Sequence, residues 1–272
     1  MGKVYAILMN KGGVGKSTII SNLASLAALD GKRVLIIDTD GQGNSSLAFG
    51  IIPSQIQNTV SDICTGRLDF DDIIYNVDQA RMELGGLDPT NLALDLAAAN
   101  SDMNMLDFEI LTKLDQYPNP FRLLVDPLQK VRDRYDAIFI DSPPAMGLVA
   151  GNVLSVADEI IIPFIPESFG VQGFIRVIEA LDDFEEAQGI RVDIAGVVGT
   201  MFDARTTLHH DMVDDAKTYC SQNNIRFFET LIPKSIQFAK TFAYQRLPAV
   251  LVDRYNYIVA HYEALYTELM RK

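Results

Sequence analysis

An apolar run, Val4-Tyr5-Ala6-Ile7-Leu8-Met9, leads directly into Asn10-Lys11-Gly12-Gly13-Val14-Gly15-Lys16-Ser17-Thr18, and a helix-compatible stretch runs on from Ser17 to Leu29. Strand, glycine-rich loop and helix in that order make an anion site. The small residues let the backbone wrap a phosphate with its N–H groups turned inward, and the helix N-terminus adds positive potential. The loop fits the phosphate-loop pattern G-x-x-x-x-G-K-[ST], with Asn10 in the first glycine position. At these offsets Gly12, Gly13, Val14, Gly15 and Thr18 supply the cradle, Lys16 reaches the β- and γ-phosphates, and the Ser17 hydroxyl ligates Mg²⁺. A ligand-free βα turn would need neither the lysine nor the hydroxyl. Lys11 falls at a position the pattern leaves unspecified and by itself reads as a solvated charge.

Further apolar runs recur at Val34–Ile37, Ala137–Ile140, Ile160–Phe164 and Ile194–Val198, with a shorter one at Phe227–Leu231. They are rich in Val and Ile and do not alternate, the pattern of strands buried on both faces of a parallel sheet. Phe174–Ala187 and Asp211–Gln222 have helical apolar spacing. The expectation is a doubly wound, mostly parallel α/β sheet flanked by helices, a single domain over residues 1–272, with its ligand at the carboxyl ends of the strands. Residues 50–125 are less regular and are expected to carry helices at the sheet edge.

Two of these runs deliver carboxylates where that ligand would sit. Ala137-Ile138-Phe139-Ile140-Asp141 looks like a Walker B strand, whose Asp141 holds the Mg²⁺ hydration shell. Val34-Leu35-Ile36-Ile37-Asp38-Thr39-Asp40 offers two more, and Gly41-Gln42-Gly43-Asn44 follows as a flexible polar loop suited to sensing a γ-phosphate. Asp40 is assigned to the attacking water and Asp38 to the metal side.

The net charge of −13 argues against a nucleic-acid partner, but its distribution softens that. Residues 1–200 hold 14 Lys and Arg against 28 Asp and Glu, whereas residues 201–272 hold 9 against 8. Lys234, Lys240 and Arg246 fall in a stretch, 234–252, that has no acid; it reads either as a solvated face or as half of a DNA footprint doubled by oligomerisation. Cys64 and Cys220 are far apart and suggest neither a disulfide framework nor a metal cluster. No apolar stretch reaches the roughly 18–20 residues that span a bilayer, and no signal pattern opens the chain, so a cytoplasmic protein is expected. His209 and His210 are placed at the exposed start of the Asp211–Gln222 helix with no chemistry. Tyr244, Tyr255 and Tyr257 suit stacking on bases, but core or interface packing is the expected use.

Lys11-Gly12-Gly13-Val14-Gly15-Lys16-Ser17-Thr18 resembles the deviant Walker A box of the ParA/MinD ATPases. Asp38-Thr39-Asp40-Gly41-Gln42-Gly43-Asn44 is similar to the DxDPQGN segment of the ParA branch, and Asp141-Ser142-Pro143-Pro144 to its DxPP element. The stretch from Ile162-Pro163 through Glu167 to Gly173, the Met201-Phe202-Asp203-Ala204-Arg205-Thr206 segment and Ile232-Pro233-Lys234 extend the likeness almost end to end. The resemblance implies an ATP- and Mg²⁺-dependent homodimer that sandwiches two nucleotides, each Lys11 crossing to its partner's ATP. It also implies weak, partner-stimulated hydrolysis, non-specific DNA binding by the dimer, and a ParB-like centromere-binding adaptor in plasmid or chromosome partition. By the same pattern Pro233 and Lys234 lie near the adenine, and Arg205, Lys234, Lys240 and Arg246 are the candidate DNA contacts of a nucleoid-associated protein.

Three departures qualify it. Gly41 stands where the family has proline, Lys234 where it has arginine, and the chain opens at the phosphate-loop strand, so no N-terminal helix-turn-helix domain is expected. The alternative is a MinD-like membrane-cycling ATPase, which needs a basic amphipathic C-terminal helix. Here the end, His261 to Lys272, carries Glu263 and Glu268 and reads as a packed helix. An iron–sulfur reductase would need cluster cysteines that Cys64 and Cys220 do not supply. A metabolic P-loop enzyme would need a substrate pocket with no sequence signal here.

Overall fold

The computed structural model describes residues 1–83, 90–235, 246–253 and 255–271. Their strands are β1 (Lys3–Ile7), β2 (Val34–Asp38), β3 (Ile74–Asn76), β4 (Leu94–Ala97), β5 (Ala137–Asp141), β6 (Glu159–Phe164) and β7 (Asp193–Gly199). Among the described residues they form one seven-stranded sheet in the order β3-β4-β2-β5-β1-β6-β7. Every pairing is parallel except β3 with β4. The doubly wound, mostly parallel fold expected from the apolar runs is the fold observed.

The sheet is buried on both faces because its strands present apolar side chains in both directions. Successive residues of β1 alternate sides: Val4 and Ala6 join one core cluster, Tyr5 and Ile7 the other. Over the second face lies α1 (Lys16–Leu29), whose Ile19, Ile20, Leu23, Ala24 and Ala27 are buried. The C-terminal helix packs across α1 in turn and sinks Ile258, Val259, Tyr262, Leu265 and Leu269 into the same cluster. Its apolar face is therefore occupied within the chain, as the packed-helix reading expects of it. No helix among the described residues is long and apolar enough to cross a membrane.

Three expectations need correction. The irregular region 50–125 carries helices, but it also contributes β3 and β4, which extend the sheet at that edge. Ala and Asp in Leu94-Asp95-Leu96-Ala97 are poor strand formers, and pairing with β2 overrides them. Phe227–Leu231 forms no strand: it makes a single bridge from Phe227 to Val197. The Glu268 carboxylate accepts the N–H groups of Glu229 and Thr230 at 2.9 Å each, so these donors are withdrawn from any ladder. Tyr255 and Tyr257 are 100% and 66% exposed, which removes the core half of the packing expectation and leaves the interface half standing.

Candidate functional site

The phosphate loop leaves β1 and enters α1 through Gly15, whose φ of +91° only glycine adopts readily. Gly13, at +74°, turns the loop over. A Cβ built on Gly12, Gly13 or Gly15 would meet nothing within 4 Å, so the loop borders open space. No side chain caps the start of α1 and no acid lies in its first turn, which leaves the helix N-terminus available to an anion. Thr200, at the end of β7, braces the loop by donating from Oγ1 to the Val14 carbonyl at 3.0 Å.

Lys16 is buried across this loop, its ammonium 3.4 Å from the carbonyl oxygens of Met9 and Lys11. Burial lowers its pKa, and the nearby Asp141 and Asp40 carboxylates push it back up. Two long contacts to carbonyls are weak anchors for a desolvated ammonium, and a phosphate oxygen would be a stronger partner. Lys11 differs. It is half-exposed at the rim and its Nζ lies 2.8 Å from Glu167 Oε2.

The three carboxylates divide as their positions dictate. Asp38 and Asp141 end neighbouring strands in register, and both are fully buried. Asp38 Oδ2 accepts from the Ser46 N–H and hydroxyl at 3.1 Å, while Oδ1 accepts the Asp40 N–H at 3.1 Å. Desolvation, then the Asp141 charge, still raise its pKa well above the ordinary range. Asp141 Oδ2 accepts the Ser45 hydroxyl at 2.7 Å, and desolvation pushes this carboxyl up to about 6 against the opposing pull of Ser17, Ser45 and Lys16. Its Oδ1 is buried with no hydrogen-bond partner among the described residues. Asp40 lines the open cavity, and its Oδ1 accepts the Gln42 N–H at 3.0 Å.

A buried carboxylate oxygen without a hydrogen bond of its own beside a serine hydroxyl, with two more carboxylates and an open phosphate cradle, is a donor set that fits a hydrated divalent cation. The cavity itself has a volume of about 610 Å³ and runs from the loop to a largely apolar end. Pro233 and Lys234 line it. Sequence reasoning missed Asn22, Leu247, Pro248 and Tyr262 there. Asn22 carries a signal in retrospect: it is a buried amide inside an apolar helix, and its Oδ1 accepts the Val250 N–H at 3.1 Å. Met201 also lines the cavity, at a φ of +52° that costs a non-glycine residue about 1–2 kcal/mol.

The loops after β2 and β5 are bridged by the helix Met103–Leu111. A Cβ on Gly41 would stand 2.3 Å from Asn104 Oδ1, so a larger residue there would have to displace the Asn104 side chain. Asp107 accepts the N–H groups of Leu148 and Val149 at 3.2 and 3.3 Å, at the start of the helix that follows the Asp141 loop.

Of the candidate DNA contacts, Arg205 is exposed but closed onto Asp203, with Nε and Nη2 donating at 2.9 and 2.7 Å. Its charge is thus largely matched within the chain. The Phe202–Pro233 bridge sets the loops of Arg205 and Lys234 side by side. Arg246 is exposed, and its carbonyl accepts from Arg81 at 2.8 Å. Lys240 and Tyr244 lie outside the described residues. His209 and His210 sit in the first turn of a helix that begins at Thr207, four residues earlier than expected, and His209 Nδ1 accepts the Asp203 N–H at 2.9 Å.

A phosphate loop at the carboxyl end of β1, facing strand-end carboxylates on a parallel sheet, defines a P-loop nucleoside-triphosphatase. Residues 2–194 match the family described as an AAA domain. A ParA family protein of Mycoplasma pneumoniae is 31% identical over 92% of this chain and 90% of its own length. The sporulation initiation inhibitor protein Soj of Bacillus subtilis is 30% identical over 93% and 92%. The chain belongs to the ParA/Soj family of partition ATPases. Among solved structures, a putative plasmid partition protein from Borrelia burgdorferi bound to AMPPNP superposes with a TM-score of 0.78 at 24% identity, covering 99% of this chain and 98% of that one. Cobyrinic acid a,c-diamide synthase from Mycobacterium smegmatis, with ATP analog and magnesium, superposes at 0.81 and 21% identity over 100% and 95%. At these identities the likeness is one of fold.

Proposed function

We propose that this chain is an ATP-dependent dimerising switch that binds DNA without sequence preference and drives plasmid or chromosome partition with a centromere-binding adaptor. The observation that carries the reading is the pairing of two lysines with one open cradle: Lys16 buried inside it and Lys11 half-exposed at its rim. One lysine suffices to hold a nucleotide in its own chain. A second, at the rim, suits a neighbour's nucleotide.

In this reading the backbone N–H groups of residues 12–18 hold the phosphates and Lys16 moves from the Met9 and Lys11 carbonyls to the β- and γ-oxygens. Ser17, Asp38 and Asp141 would hold Mg²⁺. The cation neutralises charge on the phosphates when bound. Asp40, at the cavity wall, accepts a hydrogen bond from the attacking water and aligns it with the γ-phosphate. Pro233, Lys234, Leu247 and Pro248 enclose the base. Lys11 leaves Glu167 and reaches the partner's nucleotide, where it stabilises the charge of transfer. ATP thereby makes the dimer, and hydrolysis undoes it.

Dimerisation also reconciles an acidic chain with DNA: Lys234, Lys240, Arg246 and, once freed from Asp203, Arg205 contribute from both subunits. Several features support the ParA branch over the membrane-cycling one, foremost the Asp38–Asn44 segment and a terminal helix whose apolar face is already packed. The expected location is the cytoplasm, on the nucleoid. The test is co-sedimentation with plasmid DNA and, separately, anionic liposomes, under ATP, ADP or no nucleotide. Pelleting with DNA only in ATP, weakened by salt, is the expected result. Pelleting with liposomes instead would reject it.

A further inference from the structure

Asp141 meets its surroundings asymmetrically. One carboxylate oxygen, Oδ2, takes the Ser45 hydroxyl at 2.7 Å; the other, Oδ1, is buried and makes no hydrogen bond of ordinary geometry among the described residues, with the Ser17 hydroxyl close enough to act on the carboxyl. Ser45 and Asp141 are both 0% exposed, so neither can turn to water instead. A carboxyl group rotates about one bond, and a single short hydrogen bond to one oxygen fixes where the other points.

Ser45 is itself held firmly. It sits in the short helix α2 (Asn44–Leu47), entered through Gly43 at a φ of +61°. A Cβ on Gly43 would come within 2.3 Å of the Pro53 ring and 3.1 Å of the Ala99 carbonyl, so the start of α2 is pinned against its surroundings. Its neighbour Ser46 serves Asp38 in the same manner but with both N–H and hydroxyl. Removing the Ser46 hydroxyl would leave Asp38 a backbone donor on the same oxygen. Asp141 has no backbone donor of this kind among the described residues, and besides Ser45 only the Ser17 hydroxyl of the phosphate loop acts on its carboxyl.

We propose that Ser45 is a positioning residue for the metal: its hydroxyl holds the Asp141 carboxyl so that Oδ1 is the oxygen presented to the Mg²⁺ hydration shell. The inference rests on the ATP–Mg²⁺ reading above and adds a role for a residue outside the phosphate loop and the three carboxylates. It also ties the loop after β2 to the metal side, because Ser45 lies only five residues beyond Asp40. Outer-shell partners of this kind typically contribute 10–100-fold to metal affinity.

The experiment measures the affinity of the full chain for N-methylanthraniloyl-ATP by fluorescence, in excess Mg²⁺ and in EDTA. The ratio of the two affinities reports the metal alone. Ser45→Ala should lower that ratio about 10-fold or more. Ser45→Thr, which keeps the hydroxyl, should restore it, and Ser46→Ala should change it less. Should Ser45→Ala fail to fold, Ser45→Cys keeps the volume with a weak donor and should show the same loss. An unchanged ratio in Ser45→Ala, or equal weakening with and without Mg²⁺, overturns the proposal and leaves Ser45 a packing residue. If the wild-type chain holds the probe equally well in EDTA, the ATP–Mg²⁺ reading falls, and this inference falls with it.

Discussion

Lys11 Nζ and Glu167 Oε2 stand 2.8 Å apart, joining the phosphate loop to the segment after β6 across the rim of the cavity. Both side chains are about half exposed, 51% and 56%, so the pair contributes little stability, below about 1 kcal/mol. It nonetheless occupies the lysine that the proposed dimer uses. Glu167→Gln should leave thermal stability within about 0.5 kcal/mol of wild type. ATP-dependent dimerisation, followed by sedimentation velocity, should tighten by no more than about five-fold, since the gain cannot exceed the strength of the pair.

Asp141 gives a prediction of opposite sign from the usual carboxylate. Desolvation raises its folded pKa to about 6, above its unfolded value, so the group favours the folded chain while protonated. That contribution is present at low pH and lost as pH rises through 6. Above it, the ligand-free fold carries a buried charge. Asp141→Asn should therefore stabilise the nucleotide-free protein at pH 8, on the order of 2 kcal/mol, and progressively less below pH 6. Differential scanning fluorimetry across pH checks this, and the same variant should lose Mg²⁺-dependent nucleotide binding.

Gly41 and Asn104 should behave as a coupled pair. The Asn104 side chain fills the space a Cβ at residue 41 would need. Gly41→Ala alone should be destabilising, Asn104→Ala nearly neutral, and the double variant close to wild type. Urea unfolding of the four proteins should give a coupling energy of roughly 0.5–3 kcal/mol, and additivity would mean the contact is slack.

The most legible parts of this molecule were those where chemistry demands particular residues at fixed offsets. Lys16, Ser17, Asp40 and Asp141 are such residues, and the structure gathers them at one end of the sheet. The buried strands were equally plain, because a strand covered on both faces needs an unbroken apolar run. Legibility failed where a distant partner decides. Leu94–Ala97 is a strand only because β2 pairs with it, and Phe227–Leu231 is not one because Glu268 takes its donors. The apolar end of the cavity was invisible for a similar reason. Leu247 and Pro248 meet Tyr262 of the C-terminal helix there, with no local motif to announce them.

Glu268 itself is testable. Glu268→Ala leaves the Glu229 and Thr230 N–H groups without their acceptor, and a loss of about 1–3 kcal/mol in urea unfolding is expected. Nucleotide affinity should be unchanged, because Glu268 does not line the cavity.

The central claim is that two chains close on two nucleotides and exchange Lys11. Sedimentation velocity of Asp40→Ala, with and without Lys11→Ala, in ATP, in ADP and without nucleotide, tests it most directly. Asp40→Ala is predicted to sediment as a dimer in ATP and as a monomer otherwise. Adding Lys11→Ala is predicted to return it to a monomer that still binds ATP. A monomer in all three conditions for Asp40→Ala, or a dimer indifferent to Lys11, would contradict the account.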